Sequence, residues 1–186
     1  MLLRSALFAS LLLSMTSLGA LAQDKFEGGP TKGARTTSVS GSVTYTSRQN
    51  YDATVRLQLG YYATSALEYA GVIAINGQSS PAVSRPVVGG GVATVGANSS
   101  SGVALGAVVR YHFGHSKIIP YVGFAPQYDV INLQGNKSKQ LILIGTGGAD
   151  FFIKPQESIF AELSLERFTK SNSTTGRLEV GLKLFY

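Results

Sequence analysis

From residue 36 to the C-terminus the sequence repeats one pattern eight times, a run in which every second side chain is apolar followed by a cluster of turn-forming residues. The last run, RLEVGLKLFY (177–186), shows it most clearly. Leu178, Val180, Leu182, Leu184 and Tyr186 share one face, while Arg177, Glu179, Gly181 and Lys183 share the other, with Phe185 the one apolar residue on the polar side. Successive side chains of a strand point to opposite faces, so each run is expected to be a strand with one apolar and one polar face. No stretch after residue 35 carries a helical period. The constraint is therefore severe: eight two-faced strands must bury, pair or solvate sixteen faces.

The other seven runs are TTSVSGSVTYTS, ATVRLQLGYYAT, LEYAGVIAIN, GVALGAVVRYHF, IIPYVGFAPQY, KQLILIGTGGADFFI and SIFAELSLERF. Eight is an even number, as a closed antiparallel up-and-down barrel requires, and runs of this length separated by turn residues are the signature of a membrane-spanning one. The connections alternate. Those around Ser65-Ala66, Gly114 to Lys117, and Lys154 to Glu157 are short, whereas three of the four in 48–52, 76–101, 129–138 and 169–176 are longer. A barrel whose ends differ, with tight turns at one and longer loops at the other, accounts for this, and the C-terminus is expected at the end with the turns.

The polar face decides between a soluble and a membrane barrel. It carries Arg56, Glu68, Arg110, His112, Asp150, Glu162, Glu166, Glu179 and Lys183, interleaved with Gly, Ala, Ser and Thr. Charges of both signs among small residues suit a narrow interior in which acids and bases pair, since an unpaired buried charge is costly. The opposite face carries large aliphatics, with Tyr45, Tyr61, Tyr69, Tyr111, Phe113, Phe151 and Tyr186 near run ends, the distribution of an aromatic girdle at a membrane surface. In hydrocarbon every backbone N–H and C=O must be paired, which strands achieve only by closing. The alternative is an exported soluble barrel of lipocalin-like type, with the aliphatics turned inward.

The N-terminus supplies a route to a membrane. Residues 1–22 (MLLRSALFASLLLSMTSLGALA) have a short region with Arg4, an apolar stretch and an Ala20-Leu21-Ala22 ending, the features of a secretory signal peptide cleaved after Ala22. Residues 23–35, rich in Gly and polar groups, read as a flexible leader, and 36–186 as the barrel. The chain has no cysteine, which excludes disulfides, thiolate catalysis and a lipid-modified N-terminal Cys. Its formal charge of +6 is spread thinly and gives nucleic-acid binding no specific support.

No cofactor, metal or catalytic site is expected. His112 and His115 are the only histidines. His115 is followed directly by Ser116, and adjacent side chains diverge, a poor arrangement for proton transfer from a nucleophile. Gly89-Gly90-Gly91 lacks the strand-to-helix context and the Lys-Ser/Thr of a phosphate cradle.

The alternating runs together with PYVGF (120–124), GGADFFI (147–153), FAELSLE (160–166) and the aromatic ending resemble the small outer-membrane β-barrel proteins, the porin-like, opacity-type and OmpX- or OmpW-like eight-stranded barrels of Gram-negative envelopes. The resemblance spans nearly all of 36–186. It implies export by a Sec signal peptide, location in the outer membrane among its lipids, and insertion by the barrel-insertion machinery reading a terminal-strand signal that here would be Leu182, Leu184 and Tyr186. Such a terminal strand usually closes on Phe, and this one closes on Tyr186 after Phe185. Two functions are then expected. One is an envelope-structural or surface-binding, adhesin-like role through external loops, with the loop 78–101 the candidate contact for an extracellular ligand and a monomer the favoured state. The other is a narrow porin-like channel for small solutes. An enzyme is not expected.

Overall fold

A computed structural model describes residues 29–46, 50–80, 83–87, 91–95, 98–133, 136–169 and 173–186, with side chains placed throughout except in 44–51, 79–99 and 131–138. The signal peptide expected at 1–22 and most of the leader lie outside the described residues. Eight long strands form the barrel: β1 (Arg35–Thr46), β2 (Asn50–Tyr62), β3 (Leu67–Ser80), β6 (Asn98–His112), β7 (Ile118–Leu133), β8 (Asn136–Lys154), β9 (Glu157–Phe168) and β10 (Thr174–Phe185). Two five-residue strands, β4 (Val83–Val87) and β5 (Gly91–Val95), form a separate hairpin between β3 and β6.

Each of the eight barrel strands pairs antiparallel with the next, β3 with β6 across the hairpin, and β1 closes the sheet on β10 with Thr36 opposite Phe185 and Val39 opposite Leu182. The result is a closed eight-stranded transmembrane β-barrel with no free sheet edge. The alternation of the sequence becomes an alternation of exposure. On β9 and β10 nearly every second residue is buried, and those between face out. The outward residues are the aliphatics: Leu57, Ile73, Leu105, Leu163 and Leu182 are 40 to 59% exposed. Glu68, Glu162, Glu179 and Lys183 are each 1% exposed. Leaving this many aliphatics in water would forfeit about 1.5–3 kcal/mol each, so the outer surface is that of a barrel immersed in lipid.

The two ends differ. At the turn end, β2 and β3 are joined by 63–66, where the Thr64 hydroxyl accepts hydrogen bonds from the amides of Ala66 and Leu67. Gly114 turns the chain between β6 and β7 with a φ of 90°, where L side chains are strained, and Pro155-Gln156 joins β8 to β9. Around this end sit outward Tyr61, Tyr69, Tyr111, Phe151 and Tyr186, with Phe113 stacked edge-on to Tyr111 and Tyr61 directly opposite Tyr69. Six aromatics thus collect at one rim, as at a lipid–water boundary. The side chain of Tyr45 lies outside those described. At the loop end the outward apolar belt stops at Ile75, Val103, Val130, Leu141 and Leu165, and Gly77, Ser101, Lys139 and Arg167 follow it.

Three expectations need correcting. The stretch 129–138 is strand almost to its tip, since Leu133 of β7 pairs with Asn136 of β8. The stretch 76–101, expected as a connection, is largely strand: β3 and β6 pair out to Ser80 opposite Asn98, and the β4–β5 hairpin lies between them in sequence. Strands longer than the ~9–11 residues a bilayer requires carry their ladders past it. Gly91 opens β5, while Gly89 and Gly90 lie outside the described residues. Third, the leader does not extend to Arg35, which is paired within β1. Before it, the Gly33 amide donates to the Tyr62 carbonyl and the Tyr62 amide donates to the Ala34 carbonyl, each at 2.9 Å, and Pro30 is buried. Residues 29–34 therefore lie across the turn-end mouth of the barrel.

Candidate functional site

The lumen holds the polar chemistry, and the strands position it by parity alone: a residue two places along from an inward residue is also inward. Three tiers follow from the turn end upward.

The lowest tier is apolar. Tyr62 of β2, Ile119 of β7, Phe152 of β8 and Phe185 of β10 pack together with Ala34 against them. Phe152 and Phe185 stack at 5.1 Å and Tyr62 and Phe185 at 6.1 Å between ring centres. Phe185, the exception to the polar face of the last run, is thus part of a plug.

Above it lies an ionic cluster. Lys183 Nζ is 3.0 Å from Asp150 Oδ2 and 3.4 Å from Glu68 Oε2. His112 Nε2 is 3.1 Å from the same Glu68 oxygen and 2.9 Å from the Tyr62 hydroxyl, which ties the cluster to the plug. Arg110 forks onto Glu162 through Nε and Nη2 at 3.1 and 2.9 Å, and donates through Nη1 to Gln58 at 2.7 Å. Arg110 and Lys183 also stand 5.3 and 5.4 Å from the Tyr121 ring centre, a cation–π contact for each. The wide ring of Tyr121 fits because Gly148 faces it: a Cβ on Gly148 would lie 2.7 Å from the Tyr121 hydroxyl and 2.4 Å from the Ala161 carbonyl oxygen. Next, Arg56 pairs with Glu179, and Ser40 donates to Glu179 as well.

The third tier is at the loop end. Arg177 Nη2 reaches Asp52 at 3.3 Å, and its Nη1 reaches Glu166 at 3.4 Å and Thr54 at 2.8 Å. Arg177, Asp52 and Glu166, with Asn76, Gln78, Ser100, Gln127, Asp129, Ile142 and Phe168, border a cavity of about 60 Å³. A second cavity of about 10 Å³, bordered by Arg56, Arg110, Thr146 and Glu162, has the size of one water molecule.

All nine ionisable residues read from the sequence as a lumen network face inward, and each has at least one partner among the others. They form a lower group of Glu68, Arg110, His112, Asp150, Glu162 and Lys183 and an upper group of Arg56, Glu166 and Glu179. Arg177, Asp52 and Asp129 complete the upper group and were missing from that reading. Arg177 already shares the polar face of the last run with Glu179, and extending the parity of Arg56 back to Asp52 and of Gln127 on to Asp129 would have found the other two.

The lining is also less uniformly polar than expected. Ala70, Val72, Val108, Ala125, Ile142 and Ile144 form an aliphatic wall on β3, β6, β7 and β8, so these strands are apolar on both faces at mid-height. Leu182, Leu184 and Tyr186, read as the insertion signal, lie on the outer face of β10. His115 is exposed in the turn, and the Ser116 hydroxyl donates to the Ile118 carbonyl, which leaves the pair serving turn geometry. Among the described residues no cluster of three or more His, Asp or Glu side chains could hold a metal ion.

No protein-family model matches the chain, and no curated protein is found to be its relative. Solved structures match in fold. Neisserial surface protein A is similar over 81% of this chain and 94% of its own, at 15% identity and a TM-score of 0.54. A de novo designed transmembrane β-barrel is similar over 85% of this chain and 99% of its own, at 14% identity and a TM-score of 0.50. The chain thus has the fold of the small eight-stranded outer-membrane β-barrels.

Proposed function

We propose that this protein is an exported, closed barrel of the Gram-negative outer membrane that serves the envelope structurally and binds at its surface through its loop end, and that it does not conduct solutes. One observation supports this best: the lower lumen is filled by the Tyr62–Ile119–Phe152–Phe185 plug beneath a cluster of paired charges. Eight strands enclose a space that side chains can fill, and here they fill it. A solute would have to break paired ions in a medium of low polarity and then part four stacked apolar side chains. The machinery expected to insert the barrel would read Leu182, Leu184 and Tyr186 on the outer face of the strand that meets β1.

Planar-bilayer recording tests the reading. The purified protein is expected to give no discrete conductance steps. Reproducible steps whose size changes in Arg110→Ala or Glu162→Ala would replace it with the narrow-channel function. The absence of catalytic function in the reading has its own test, since any change in lipid A mass on expression would establish an enzyme.

A further inference from the structure

Among the described residues the charges of the lumen do not balance, and the imbalance is concentrated at one end. The buried ionisable groups include six carboxylates (Glu68, Asp129, Asp150, Glu162, Glu166, Glu179) against four cations (Arg56, Arg110, Arg177, Lys183) and His112. In the lower group three carboxylates share Arg110, Lys183 and His112. In the upper group Arg177 serves Asp52 and Glu166, while Arg56 pairs closely with Glu179 and reaches Glu166 only at 3.9 Å. Among the described residues Asp129 has no salt bridge within 4 Å; Gln140 and Asn76 hydrogen-bond to its carboxylate, and Arg177 acts on it from further off. Asp129 is 3% exposed and its Oδ1 has no hydrogen-bond partner among the described residues; Asp52, part-buried, also has an Oδ1 without one. Both border the 60 Å³ cavity, together with Glu166, Arg177, Ile142 and Phe168.

We propose that this loop-end cavity is a binding site for an organic monocation, an alkylammonium or guanidinium head group. The head donates to the free oxygens of Asp129 and Asp52, and its alkyl stem lies along Ile142 and Phe168. A buried carboxylate oxygen without a donor is costly, and a charged donor is the partner that compensates it best. A volume of several water positions exceeds a bare metal ion and matches a head group of a few heavy atoms. The ionic cluster beneath gives the ligand no way onward, so the site is a terminus rather than a station on a path. The site deepens the surface-binding reading in that the ligand would arrive from the loop end, yet occupancy of the cavity can be measured without reference to which way the barrel faces.

The test is a titration of the refolded full-length barrel in detergent micelles, followed by amide chemical shifts, with methylammonium and methylguanidinium chloride as probes and sodium acetate as the anion control. Saturable shifts are expected at the loop-end residues of β2, β7, β9 and β10 with either cation and none with acetate. Asp129→Asn is expected to weaken binding by about tenfold or more, because a charge-assisted bond is replaced by a neutral one. Arg177→Gln, which removes the competing cation, is expected to tighten it several-fold. Heat-dependent gel migration checks that each variant is folded. A short arginine-containing peptide that binds much more tightly than methylguanidinium would identify the source as a basic side chain of a partner protein; equal affinity would identify a free solute. Absence of saturable shifts with both cations in folded protein, shifts unaffected by Asp129→Asn, or displacement of the cations by micromolar calcium would each overturn the proposal. Conductance plays no part in this readout, so a conducting barrel could still bind cations and a silent barrel could fail to.

Discussion

The two halves of the lumen use the same residue types to opposite ends. Near the turns, Lys183, Arg110 and His112 each touch two or more partners, and an aromatic plug seals the space below them. Near the loops, one guanidinium is shared by two carboxylates, a third carboxylate has no salt bridge, and a cavity remains. Charge buried with its complement holds strands in register, although it adds less stability than well-packed hydrocarbon would. Charge buried without a complement is costly and therefore poised for a partner. The difference is what the proposal rests on: a closed turn end and a loop end with room for a ligand, within a single tube.

Removing a cation should separate the halves most sharply. Lys183→Met leaves Asp150 and Glu68 facing each other with one fewer counter-charge, and loss of one partner of a buried pair costs about 3–5 kcal/mol. The expected result is a clear fall in the urea midpoint of the bilayer-inserted protein, and a midpoint within error of the parent would break the comparison. The smaller effect is at the other end. Asp129→Asn keeps the shape and removes a buried charge that has no salt-bridge partner within 4 Å among the described residues, so the change should be within about 1 kcal/mol and in the stabilising direction. A loss as large as that of Lys183→Met would mean that both halves are equally structural.

Much of this was legible because a barrel strand carries its geometry in its parity. The eight strands, their antiparallel order, the apolar outer face and the nine inward ionisable residues all follow from period-two alternation with charges on one side. The terms that escaped have physical causes. Val72, Val108, Ile142 and Ile144 face inward, so alternation weakens there and the lumen's aliphatic wall is hidden among outward aliphatics of the same kind. Phe185 looks like an error of alternation until it meets Phe152 and Tyr62, which lie 33 and 123 residues away. Asp52 and Asp129 sit where polar composition suggests loop, yet the ladder between neighbours continues through them. Residues 29–34 look like an unstructured leader because their bonds to Tyr62 are made by backbone, which composition does not reveal.

The central claim is the inversion itself, with aliphatics toward lipid and polar groups toward the axis. The chain has no cysteine, so single cysteines report without background. Adjacent positions on β9 give the most direct test: Leu163 is 40% exposed and Ser164 fully buried. Leu163→Cys and Ser164→Cys would each be labelled with a small fluorophore, by denatured-state labelling before refolding, and quenched with a lipid-dissolved nitroxide. The account expects strong quenching at 163 and weak quenching at 164. Strong quenching at 164 with protection at 163 would contradict it.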